Sequence, residues 1–396
     1  MSAPHHTTQA GRSRLPSLTS MRFFAALLVF LCHAGFVAFF NQPAYRDGFA
    51  SAVNKAGATG VSFFFILSGF VLAWSNRPRD TTPRFWRRRL FKIYPIHLAT
   101  FALAMAAGAY AAANWETSLL NLFLVQTWAP RPDVANMVNI PSWSLSCELL
   151  FYLSFPLLFR WLKRIRPSRL WAWAGGLAAA VVCVPLVAQL LPAQPLMPQM
   201  GGPIGTPRSE WGTWFVYAFP PVRMLEFVLG IVMALIVMNG RWVRVPLSAA
   251  LGLTAVAYVA AQYVPFGFSL VAATVIPLAL VIPATATLDL RDRPSFLHNR
   301  VLVWLGEISF AFYMVHSVVM AELGTWFDGP LGTWGTTGLI AAEFVVSILA
   351  AWALHAGVER PVMRRWSVPA SRRRAPVPAE PPVSPSETAR PKEPAL

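Results

Sequence analysis

Arg22-Phe-Phe-Ala-Ala-Leu-Leu-Val-Phe-Leu-Cys-His33, continuing as Ala-Gly-Phe-Val-Ala-Phe-Phe40, is the stretch on which the fold turns. From Phe23 to Phe40 it carries one ionisable side chain among apolar ones. At 1.5 Å per helical residue a run of that length nearly crosses the roughly 30 Å of hydrocarbon in a bilayer. A secretory signal would also follow basic residues such as Arg12, Arg14 and Arg22. This run is longer than a signal's apolar core, however, and no small-x-small site closes it. It reads as a first membrane span.

The rest of the chain repeats the pattern. Of its 396 residues 56% are hydrophobic and 13% charged, too little polar surface to coat a soluble domain of that length. The apolar residues come in continuous runs, whereas strands of a membrane barrel would alternate. Further spans read as 58–75, 91–113, 143–160, 170–191, 222–239, 246–263, 266–285, 302–321 and 336–356, giving about ten with the first. Leu119 to Trp128 is half a crossing long and reads as interfacial or re-entrant.

The formal charge of +16 is set in short basic blocks between the apolar runs and forms no continuous face, which argues against a nucleic-acid partner and for the lipid bilayer. With the N-terminus inside and ten spans, Arg77 to Arg89, Arg160 to Arg169, Arg241 with Arg244, Arg291 to Arg300 and Arg364 to Arg374 all fall on the cytoplasmic side. Making Leu119 to Trp128 a full span would move Lys163, Arg164, Arg166 and the later blocks outside. The expectation is an all-α, polytopic transmembrane helix bundle in the cell membrane with both termini cytoplasmic. It has a polar, mobile segment at 1–21, a transmembrane domain at 22–361 and a basic, Pro-rich, disordered tail at 362–396. Cys32, Cys147 and Cys183 lie in apolar runs without metal-ligand spacing.

An ionisable side chain inside hydrocarbon costs several kcal/mol, so each one is a candidate for function. His33 follows Arg22 by eleven residues, about 1100° of helix, so the two share a face about 16 Å apart. Arg22 then belongs at the inner interface and His33 near the bilayer middle, where an imidazole can move a hydroxyl proton; packing as a cross-helix hydrogen bond is the plainer alternative. Glu148 in Pro141-Ser-Trp-Ser-Leu-Ser-Cys-Glu148 counts to a similar depth and could orient His33, or form a salt bridge to Arg22 or Arg89. The block Phe85-Trp-Arg87-Arg88-Arg89-Leu-Phe-Lys92 suits phosphate recognition by paired guanidinium donors, although such blocks also simply set topology. Arg223 and Glu226, three apart, fit an intrahelical ion pair. His316 falls in the outer half of its span and could meet a polar acceptor or pack in a cluster. His355 and Glu359 share a helix face with no third metal ligand in sequence reach, and no metal site is expected. Ser68 has no base nearby in sequence.

With those residues placed, the chain resembles the acyltransferase 3 family of membrane acyltransferases from about Leu15 to Pro361. The likeness rests on Arg-x10-His at Arg22 and His33, Gly-Val-x-x-Phe-Phe-x-Leu-Ser-Gly-Phe ending at Phe70, and Trp-Ser-Leu-Ser-x-Glu from Trp143 to Glu148. Arg-x-x-Glu-Phe at Arg223, Ile-Ser-x-x-x-Tyr-x-x-His ending at His316, and Glu359-Arg-Pro361 follow in the family's order.

The resemblance implies a ten-helix bundle that transfers acetyl or other short acyl groups from acyl-CoA, a co-substrate, to hydroxyls of sugar-containing acceptors such as exported polysaccharides, glycolipids or antibiotic sugars. It further implies catalysis by His33 with support from Glu148, and donor binding by Arg22, Arg88, Arg89 and Lys92. The candidate acceptor contacts are Trp143, Arg223, Glu226, Tyr313 and His316. Where the family often has a second Arg, this chain has Lys92, which keeps the charge and loses the planar fork. Two other classes use the same residues: a proton-coupled exporter or flippase with His33 and Glu148 as a relay, and a haem protein with His33 and His316 as axial ligands.

Overall fold

The computed structural model describes residues 15–37, 40–76, 80–108, 114–135, 137–197, 208–291, 293–327 and 329–366. The first fourteen residues and those from Ser367 onward, assigned above to a mobile head and a disordered tail, lie outside the described residues. Helix α1, Pro16–Phe36, opens with proline in its first turn, where a missing N–H costs nothing. Its free N-terminal donors are met from another helix: Asp289 accepts the Ser17 N–H at 3.1 Å and the Ser17 hydroxyl at 2.7 Å. The polar segment expected to end at residue 21 therefore already contains the first turns of α1.

Next come α2, Pro43–Val53, α3, Ala56–Trp74, and α4, Thr82–Ala107, which takes the whole basic block into its first turns. Asn114 accepts the Thr117 N–H and so starts α5, Trp115–Leu122, before α6, Pro132–Ala135; of the segment expected from Leu119 to Trp128 only the first four residues are helical, and turns follow. Then follow α7, Trp143–Leu162, α8, Leu170–Ala188, α9, Glu210–Tyr217, and α10, Pro220–Met238. The later part holds α11, Leu247–Ala260, α12, Phe266–Leu270, α13, Val275–Leu290, α14, Arg300–Gly324, and α15, Thr333–Leu354. A π-turn at His355–Glu359 leads into α16, Arg360–Trp366.

Among the described residues nine helical segments are long and apolar enough to cross a membrane, and no strand forms. The expected span at 246–263 is the short helix α11 of 14 residues, about 21 Å long, less than a full crossing. The expected span at 266–285 is divided between α12 and α13, with turns between them, and α13 runs on to Leu290.

Packing centres on α1, α3, α10 and α14. In lipid, helices associate through close packing, since the surroundings are as apolar as the contact, and small residues let backbones meet. Gly69 on α3 abuts the Phe227 carbonyl of α10, and Gly230 on α10 abuts the Ile66 carbonyl of α3, with no room for a Cβ at either. Gly306 meets the Thr19 carbonyl in the same way and locks α14 to α1. Helices α4 and α7 pack across the α3 and α14 side and leave a cavity between.

Candidate active site

The cavity, about 130 Å³, is lined by side chains of α1, α3, α4, α7 and α14. Three cations, Arg22, Arg89 and Lys92, reach it, and their charges act on one carboxylate, Glu148. Arg89 and Lys92 are three apart on α4 and so share a face; Arg88, a third of a turn away, pairs with Asp80 and does not line the cavity. Lys92 is held by Glu359 at the π-turn, and Glu359 also bonds the His355 Nδ1 at 3.1 Å. Arg89 rests over the rings of Phe85 and Tyr152, at 5.6 and 5.8 Å, with its Nε unpartnered. Glu148 accepts the Tyr152 hydroxyl at 2.7 Å, one helical turn on.

Val61 and Leu72, eleven residues apart on α3, both line the cavity, which gives it a length of about 16 Å. Arg22, Arg89 and Leu72 mark one end. The other is closed by Tyr313 and Ser144, whose hydroxyls are 2.8 Å apart, with the Tyr313 hydroxyl also donating to the Pro141 carbonyl at 3.2 Å. One turn beyond Tyr313 on α14 lies His316.

His316 is fully buried, and its Nε2 is 2.8 Å from the Nδ1 of His33. The two rings lie edge to edge along this contact, with centroids 5.0 Å apart and planes at 19°. His33 thus meets His316 rather than Glu148, and neither imidazole lines the cavity. Helix α1 runs from Pro16 to Phe36 instead of starting at Arg22 and reaching Phe40, so Arg22 lies inside it and His33, partly exposed, stands one turn from its C-terminal end. Two axial haem ligands would stand about 4 Å apart across an iron, wider than the direct contact seen here.

Arg223 and Glu226 stand apart from the cavity, at the joint of α3, α9 and α10. Both are 1% exposed and 2.9 Å apart, and Arg223 donates to the Ser62 hydroxyl at 3.3 Å. Its guanidinium lies 4.9 Å over the Phe65 ring. Trp143 packs on Tyr217, centroids 4.7 Å apart, while its neighbour Ser144 takes the cavity wall. Three residues not singled out from the sequence belong to this region. Tyr152 and Ser144 bond Glu148 and Tyr313; Asn139 donates to the Met314 carbonyl and accepts the Ser317 hydroxyl beside the His316 turn. Glu343 on α15 is also buried, with Oε2 unpartnered, and its lone charge in the run 336–356 was signal enough to find it. Among the described residues no three His, Cys, Asp or Glu side chains gather as a metal site.

The model of an acyltransferase domain, that of the acyltransferase 3 family, matches residues 15–356. The chain belongs to the acyltransferase 3 family. It is a multi-pass integral membrane acyltransferase. Among curated proteins it is similar to the acyltransferase MdmB of Streptomyces mycarofaciens, 45% identical over 89% of this chain and 92% of the relative. The exopolysaccharide production protein ExoZ of Rhizobium meliloti is 27% identical over 78% of this chain and 90% of its own. A shorter match, 25% identical over 40% of this chain and 26% of the relative, is to the peptidoglycan O-acetyltransferase OatA of Listeria monocytogenes. No solved structure matches. The motifs that carried the family resemblance divide in space: Arg22 and Glu148 reach the cavity, His33 and His316 pair beyond its closed end, and Arg223 with Glu226 ties α10 to α3.

Proposed function

We propose that this acyltransferase takes an acetyl or other short acyl group from acyl-CoA at the cytoplasmic side and transfers it to a hydroxyl of a sugar-containing acceptor. The observation that carries the proposal is the spacing of charge and base: cations at one end of the cavity, and His33 eleven residues along α1 from Arg22, about 16 Å away. A pantetheine arm has about thirteen bonds from phosphorus to sulfur, and at about 1.2 Å of extended length per bond it spans about 16 Å. Phosphates at Arg22, Arg89 and Lys92 would thus bring the thioester to the Tyr313 end, next to the histidines.

The cations suit that task because Arg22 and Arg89 have no ion pair of their own among the described residues, and an anion entering from water supplies the missing partner. Arg88, turned toward Asp80, belongs at the approach to this site. His33 takes the proton of the acceptor hydroxyl as that oxygen bonds to the thioester carbonyl carbon. The carbon–sulfur bond then breaks, and the leaving thiolate takes the proton back from the imidazolium. Glu148, bonded to Tyr152, balances the charge of the cationic end. The relatives named for exopolysaccharide production and peptidoglycan O-acetylation support a glycan or glycosylated acceptor and an acetyl donor.

The test uses purified full-length protein in nanodiscs with labelled acetyl-CoA and a panel of glycosylated acceptors. Label should move to an acceptor with release of free CoA, and His33→Ala, correctly folded, should lose about 10²–10⁴-fold in turnover. Full turnover in H33A would refute the role of His33.

A further inference from the structure

His33 and His316 come from α1 and α14, 283 residues apart in sequence, and their hydrogen bonds run in one direction. The Nδ1 of His316 lies 3.2 Å from the Phe312 carbonyl. A carbonyl only accepts, so this nitrogen carries the hydrogen, and a neutral His316 then has a lone pair at Nε2. That lone pair faces the Nδ1 of His33 at 2.8 Å, so the hydrogen of His33 must sit on Nδ1. Nε2 of His33 is left bare, and no described group bonds to it.

The surroundings offer neither ring a charged partner. Phe30 and Phe312 flank the His316 ring with centroids at 6.0 and 5.9 Å, and no described carboxylate bonds to either imidazole. Serine hydrolase triads hold the catalytic histidine's tautomer with a carboxylate on Nδ1–H. A second imidazole, anchored to a backbone carbonyl, occupies that place here.

We propose that His316 is a positioning residue: it holds His33 in the tautomer whose Nε2 is an acceptor and can serve as base. This rests on His33 being the base of the acyl transfer. It assigns His316 to His33 rather than to the acceptor.

Two substitutions separate holding the tautomer from every other role. His316→Gln places an amide oxygen near the position of Nε2 and can still accept from His33 Nδ1–H, whereas His316→Phe fills the space and accepts nothing. With acetyl-CoA and a glycosylated macrolide as probes, H316Q should keep kcat within about tenfold, and H316F should lose about 10²–10⁴-fold, with the KM for acetyl-CoA unchanged in both. Nitrogen-15 spectra of histidine-labelled full-length protein, assigned with H33A, should show His33 protonated at Nδ1 and bare at Nε2 in the native protein and in H316Q. In H316F that signature should be lost. A native His33 protonated at Nε2, an H316F that retains kcat, or an H316Q as slow as H316F would each overturn the proposal. If the native protein transfers no acetyl group, the acyl-transfer reading fails, and the nitrogen spectra still decide what His316 does to His33.

Discussion

Arg89→Met should act with opposite signs on the empty and the donor-bound protein. In the empty cavity the Arg89 guanidinium lies over two aromatic rings with its Nε unpartnered, and the nearby carboxylate Glu148 is already bonded to Tyr152. Such a cation is poorly solvated, so replacing it with an apolar chain of similar length should raise the melting temperature of the empty protein. A donor phosphate would complete the missing bonds, and a hydrogen bond to a charged group is worth about 1.5–3 kcal/mol net. Its loss corresponds to about 10- to 150-fold in the KM for acetyl-CoA. Turnover should change less, because His33 is about 16 Å from the cationic end. Arg89→Lys keeps the charge without the planar fork and should fall between. The assay is free-thiol release against acetyl-CoA concentration, paired with thermal unfolding with and without CoA. An unchanged KM together with an unchanged CoA-induced shift in Tm would refute the donor role of Arg89.

Gly69→Ala should destabilise the bundle by about 1–3 kcal/mol, because its Cβ would enter the Phe227 carbonyl at the α3–α10 contact. Gly175→Ala on α8, which has open space around it, should instead be neutral or stabilising by about 0.5–1 kcal/mol, and unfolding in detergent compares the two. Glu343→Met should raise Tm and leave acyl transfer intact, since the buried carboxyl has an unpartnered oxygen; a lower Tm or lost transfer would give Glu343 a functional role.

The membrane bundle was legible in apolar run length. Arg22 and His33 marked the two ends of one helix face because eleven residues make nearly three turns, and Arg89 with Lys92 on one face followed from their spacing. What stayed hidden depends on how distant helices rotate against each other. Nothing local told that His33 would meet His316, or that Lys92 would meet Glu359 across the bundle. The start of α1 was also hidden: Asp289, distant in sequence, accepts the Ser17 N–H, and the helix begins at Pro16, six residues before Arg22.

A cryo-electron microscopy map of the protein with CoA bound tests the spacing between cations and base most directly. The account predicts the diphosphate at Arg22, Arg89 and Lys92, the pantetheine arm along α3, and the sulfur at the Tyr313 end of the cavity, facing His33. A CoA whose phosphates lie away from those three side chains, or whose sulfur ends far from His33, would contradict it.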